Sequence, residues 1–190
     1  MTHPILGGVL VGGLSRRMGR PKQLVQVGDA TMIEHVVRAL SGEVDNVVLL
    51  GKGPIPATLE TLSRVADAEN CRGPMAGILG AMQARPEACW VVAPCDLPLL
   101  QPAAVQWLVA SRKPGAWAVL PSVEGFVEPL LALYEPQARA LIEEAAAAEE
   151  YSLQRLTSSP GVATAEPPAA LRRCWFNANT PQKLVSLNPG

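Results

Sequence analysis

The stretch VLVGGLSRRMGRPK, residues 9–22, sets two adjacent glycines, Gly12 and Gly13, behind an apolar run and follows them with Arg16, Arg17, Gly19, Arg20 and Lys22. Glycines let a backbone approach a ligand closely, backbone N–H groups can then point inward, and cations complete a cradle for phosphate. No acidic residue precedes Asp29, so the loop is a local positive site in a chain whose formal net charge is −1. That contrast favours a small anion over a polymer. Neither G-x-x-x-x-G-K-[ST] nor G-x-G-x-x-G occurs here, which sets the loop apart from the P-loop and dinucleotide patterns.

Three further groups could take part in chemistry. Asp96 follows the apolar run WVVAP. A carboxylate at the carboxyl end of a strand lies where open α/β sheets bind ligands. It suits Mg2+, which needs one or two protein oxygens when phosphates and water fill its other positions; capping the helix that follows is the competing role. Asp67 closes a second short strand-like run, with a cap or a solvated loop charge as its alternative. Asn177 and Asn179 stand two apart in an extended stretch, so both amides face one side. Such a pair fits a heteroaromatic ring with alternating donors and acceptors, or else braces the loop before a closing helix. His3 and His35 fall outside every motif, so no histidine-based acid–base machinery is expected.

The elements that must position these residues alternate. Strands are expected over 5–12, 44–50, 64–67, 89–96, 116–122 and 127–134. Helices are expected over 31–40, 58–64, 73–84, 102–111, 136–150 and 180–187, with Thr31 and Thr180 as N-caps and Pro74 in a first turn. Strand–helix alternation implies a mostly parallel sheet with helices on both faces: a three-layer, Rossmann-like α/β domain. At 190 residues, 48% hydrophobic and 17% charged, the chain can bury one substantial core. It reads as a single domain over 1–190. The four cysteines form no C-x-x-C pair. Cys89 and Cys95 bracket a strand and stand roughly 20 Å apart, so buried structural thiols are expected rather than a zinc site. With no signal-like segment, no apolar run of membrane-spanning length and no basic–aromatic stripe, the expectation is a cytoplasmic protein that binds neither membrane nor nucleic acid.

LVGGLSRRMGRPK resembles the G-G-x-S-x-R-M-G-x-x-K signature of small nucleotidyltransferases, and the chain as a whole is similar to the molybdenum cofactor guanylyltransferases. Three more islands carry the resemblance: RVADAENCRGPMAGILGAM, WVVAPCDLPLL and WFNANTPQKL. It implies Mg2+-dependent transfer of GMP from GTP to molybdopterin carrying molybdenum, with release of pyrophosphate. The implied catalytic residues are Arg17, Lys22 and Asp96, with Asp96 also the metal ligand. The implied GTP contacts are Leu10, Val11, Gly12, Gly13, Lys22, Asp67 and Asp96, and the implied molybdopterin contacts are Asn177 and Asn179. The resemblance of these motifs also implies a nucleotide-binding half over 1–100 and an acceptor-binding half over 101–190. Maturation proteins of molybdoenzymes are the implied protein partners. As a loop side chain, Lys22 is expected to contribute little to stability. Some positions depart from the pattern: Val11 stands where Ala is usual, Pro21 where Asp is frequent, and LLGKGP follows the second strand where an Asn is common. GRPKQL also occurs in cytidylyltransferases, so a molybdopterin cytidylyltransferase stays open, as does a non-catalytic nucleotide-binding adaptor.

Overall fold

The computed structural model describes residues 3–12, 21–180 and 182–183. Ten strands are described: β1 (Ile5–Leu10), β2 (Gln26–Val27), β3 (Ala30–Thr31), β4 (Asn46–Leu50), β5 (Ser63–Val65), β6 (Cys89–Pro94), β7 (Ala118–Val123), β8 (Phe126–Val127), β9 (Ala132–Tyr134) and β10 (Val162–Ala165). Four α-helices accompany them: α1 (Met32–Leu40), α2 (Gly73–Ala84), α3 (Pro102–Ala110) and α4 (Ala138–Ala147). The main sheet runs β10-β7-β9-β6-β1-β4-β5, with β8 paired to β7. Strands β5, β4, β1 and β6 are mutually parallel, as are β7 and β10. Strand β9 runs antiparallel between β6 and β7.

The mostly parallel α/β sheet is the expected one, and its two faces carry separate cores. Strand β6 is buried along its whole length, as its unbroken apolar sequence requires. Cys89, Val91 and Ala93 pack with Ile33 and Val36 of α1 and Val105 and Leu108 of α3. Trp90 and Val92 pack on the other face with Met75 and Ile78 of α2 and Ile142 of α4. Helix α1 starts after Thr31, whose backbone N–H donates to Glu34 Oε2 at 2.8 Å, as an N-terminal capping pair does.

Two expectations change. Residues 58–64 form no α-helix; a 3-10 turn, Ala57–Leu59, is followed at once by β5, because Ser63 and Arg64 are claimed by pairing with β4. The expected strand over 127–134 splits into β8 and β9 around Pro129, which has no N–H for a ladder. The β2–β3 hairpin, turning at Gly28 with φ +61°, is too short to leave a pattern. Most of the expected helix over 180–187 lies outside the described residues; within them, Lys183 N–H donates to Thr180 Oγ1 at 3.3 Å, as a Thr180 cap requires.

Candidate active site

The carboxyl ends of β5, β4, β1 and β6 open onto one cleft of about 560 Å3, a volume in the range of small-molecule sites. Leu10, Val11 and Gly12 form its floor where β1 ends. A Cβ at Gly12, which lines the cleft, would meet no atom of the described residues within 4 Å. Leu50 and Asp67 stand at one end, with Gly73 and Pro74 from the first turn of α2. Lys22, Asp96, Pro94, Leu130 and Asn177 stand at the other.

The reactive end is built around a buried ion pair. The chain leaves β6 at Pro94, and two residues later Asp96 is fully buried, 0% exposed. Lys22 starts a 3-10 turn, Lys22–Leu24, and its Nζ donates to Asp96 Oδ2 at 2.6 Å. The lysine side chain keeps 23% of its exposure. Asp96 Oδ1 is buried and has no hydrogen-bond partner among the described residues. The capping role for Asp96 does not hold, since α3 begins at Pro102 with Gln101 before it. Nor is Lys22 a neutral loop charge. A buried carboxylate depends on its cation, and this pairing ties Lys22 to stability.

Asn177 reaches the same end through two anchors. Trp175 packs edge-on against Trp107 of α3 with ring centroids 5.7 Å apart, and its Nε1 donates to Leu131 O at 3.2 Å. Ala178 N–H donates to the Asp96 carbonyl at 3.0 Å. Between these anchors, Asn177 Oδ1 is buried and has no hydrogen-bond partner among the described residues. Asn179 is half-buried and is not among the described residues lining the cleft, so the structure brings Asn177 but not Asn179 to it. At the far end, a Cβ on Gly51 would come 3.3 Å from Asp67 Oδ1 and 2.6 Å from the Val11 carbonyl oxygen; Gly51 has φ +101°, a conformation glycine adopts freely.

Leu10, Val11, Gly12, Lys22, Asp67, Asp96 and Asn177 are thus brought together. Gly13 and Arg17 lie outside the described residues, as do Arg16, Gly19 and Arg20. Leu50, Gly73, Pro74, Pro94 and Leu130 line the cleft without having been singled out. Gly-Pro at a helix start was a usable signal; the place of Leu130 depends on the insertion of β9, which local sequence does not announce. The cysteines are all free thiols. Burial pushes the Cys89 and Cys95 thiols up to about 12, with Lys22 pulling Cys95 the other way, so they are structural as expected. No helix among the described residues is long and apolar enough to cross a membrane, and no group of three or more His, Cys, Asp or Glu gathers there as a metal cluster.

A mostly parallel sheet with a glycine floor, a lysine–carboxylate pair and a second acid along its carboxyl edge defines a nucleotide-handling α/β protein. Residues 7–164 match the MobA-like NTP transferase domain, and the chain belongs to that family of nucleotidyltransferases. A probable molybdenum cofactor guanylyltransferase of Bacillus mycoides is 31% identical over 186 residues, covering 94% of this chain and 93% of that protein. The crystal structure of molybdopterin-guanine dinucleotide biosynthesis protein A from Archaeoglobus fulgidus superposes with a TM-score of 0.78 at 26% identity, covering 96% of both chains. The 2-C-methyl-D-erythritol 4-phosphate cytidylyltransferase of Thermus thermophilus shares the fold, with a TM-score of 0.67 at 18% identity over 98% of this chain and 97% of that one.

Proposed function

We propose that this protein transfers GMP from GTP to molybdopterin carrying molybdenum, forming molybdopterin guanine dinucleotide and pyrophosphate. The observation that carries the reading is the Lys22–Asp96 pair, 2.6 Å apart in the cleft, in a chain related along its length to probable guanylyltransferases. A terminal phosphate oxygen of molybdopterin attacks the α-phosphorus of GTP. A new O–P bond forms there, the bond from the α-phosphorus to the bridging oxygen breaks, and pyrophosphate leaves with that oxygen. The difficulty is the meeting of anions, so positioning and fixed positive charge supply most of the catalysis.

Leu10, Val11, Gly12 and Gly13 would hold the nucleotide along the floor, and Asp67 would hold its nucleoside end. Lys22, with Arg17, would neutralise charge gathering on the phosphates. Asn177, with Asn179, would hold the pterin on the opposite side of the reacting phosphate. The first half of the chain then serves GTP and the second half the acceptor. Asp96 would hold Mg2+. A single buried carboxylate with one unpartnered oxygen, Oδ1, fits an ion that takes few protein ligands. When bound, Mg2+ supplies charge neutralisation at the phosphates. Pyrophosphate release, assayed with GTP, Mg2+ and molybdenum-loaded molybdopterin, tests the reading. Release dependent on all three, and lost in Asp96→Asn, is expected. No release from the wild-type protein would make it a binding adaptor instead.

A further inference from the structure

Among the described residues, the buried polar or charged side chains are Asp96, Glu135 and Gln23. Asp96 has Lys22, and Glu135 has both of its oxygens on Arg112, at 2.6 and 2.9 Å. Gln23, 2% exposed, has no charge to neutralise. Its Nε2 donates to the Pro54 carbonyl at 3.1 Å, and its Oε1 is buried without a partner among the described residues. A leucine there would leave the Pro54 carbonyl without this donor. The amide ties the turn at Lys22 to the loop at Pro54.

What it fixes is a junction of three segments. Gln23 directly follows Lys22. Gly53, in the loop after β4, sits on the amide so closely that a Cβ there would come 2.9 Å from Gln23 Nε2, 3.1 Å from the Val11 carbonyl carbon and 3.2 Å from the Gly12 nitrogen. Gly53 N–H donates to Val11 O at 3.1 Å, and its own carbonyl accepts from Arg64 Nη1 at 3.1 Å. The turn carrying Lys22, the end of β1 and the loop after β4 therefore meet at one buried amide. Lys22, Val11 and Gly12 all line the cleft, while Leu50 and Asp67 mark its other end.

We infer that Gln23 and Gly53 are positioning residues that set the distance between the lysine end of the cleft and its Leu50–Asp67 end, and so fix where the nucleoside of the bound triphosphate lies. The inference rests on reading the cleft as the nucleotide site. It predicts that damage to the junction falls on the nucleoside and spares the phosphates.

Isothermal titration of wild type, Gln23→Met and Gly53→Ala with GTP and with inorganic tripolyphosphate, each with Mg2+, tests this. Gln23→Met keeps volume while removing both amide atoms; Gly53→Ala perturbs the junction from its other side. In each variant, GTP affinity should fall about tenfold and tripolyphosphate affinity should stay within about twofold. In steady-state pyrophosphate release, the KM for GTP should rise about tenfold with kcat within about threefold. Equal losses for both ligands, unchanged GTP affinity, or a fall in kcat at constant KM would overturn the inference. If the wild-type protein prefers CTP, the guanylyl reading fails, and the same comparison run with CTP still decides the role of the junction.

Discussion

Replacing Lys22 with Met leaves Asp96 as a fully buried carboxylate without the ammonium that now stands 2.6 Å away. Removing one partner of a buried pair costs about 3–5 kcal/mol. Because the lysine side chain is 23% exposed, water already screens part of the interaction, and about 2–4 kcal/mol is the working figure. For a domain of this length that lowers the melting temperature by about 5–15 °C. The pairing thus replaces the expectation, natural for a loop lysine, that stability would hardly change. Lys22→Met with Asp96→Asn should recover most of the loss, since no unpaired buried charge remains. Millimolar Mn2+ should stabilise Lys22→Met more than wild type, because a divalent cation at Asp96 then stands in for the missing ammonium. Turnover should fall by roughly 10²-fold or more. Thermal and urea unfolding of the two single variants and the double variant measures the cycle. A melting temperature for Lys22→Met within about one degree of wild type would refute the pairing as a structural element.

Other outcomes follow from the same geometry. Asp96→Asn should abolish pyrophosphate release, and raised Mg2+ should restore only part of it; an Mg2+ titration identical to that of wild type would move the metal elsewhere. Asn177→Ala with Asn179→Ala should weaken pterin binding by about 1–3 kcal/mol, the cost of unpaired buried partners, while leaving GTP titrations nearly unchanged; Asn177→Ala alone should account for most of this, since it is the amide that lines the cleft. Burial pushes the Cys89 and Cys95 thiols up to about 12, so both stay protonated at about pH 8, and thiolate rises only as pH approaches about 12. Iodoacetamide followed by mass spectrometry should therefore label half-buried Cys71 in the native protein and reach Cys89 and Cys95 only after unfolding.

What could be read from the sequence was whatever local chemistry announces. The cation after a glycine pair and the acid after an apolar strand gave Lys22 and Asp96, because strand ends and loop cations carry type and spacing together. Their direct contact across 74 positions is a product of packing and has no local sign. Gln23 was passed over because glutamine is ordinarily a surface residue; only the fold shows it buried beneath Gly53. Alternation in an extended chain gives Asn177 and Asn179 a shared side but does not say how far a cleft extends; only the fold shows Asn177 lining it. Pro129 had more say than periodicity over 127–134, where a lost donor outweighs a short run, and over 58–64 pairing with β4 claimed the end of the run.

The central claim is the identity of the transferred nucleotide, and a panel of GTP, CTP, ATP and UTP with molybdenum-loaded molybdopterin tests it most directly. Mass spectrometry of the product should find the guanine dinucleotide formed well above any other, with one pyrophosphate released per dinucleotide, and with Gly13→Ala eroding GTP use first. Equal or faster formation of the cytosine dinucleotide by the wild-type protein would contradict the guanylyltransferase reading.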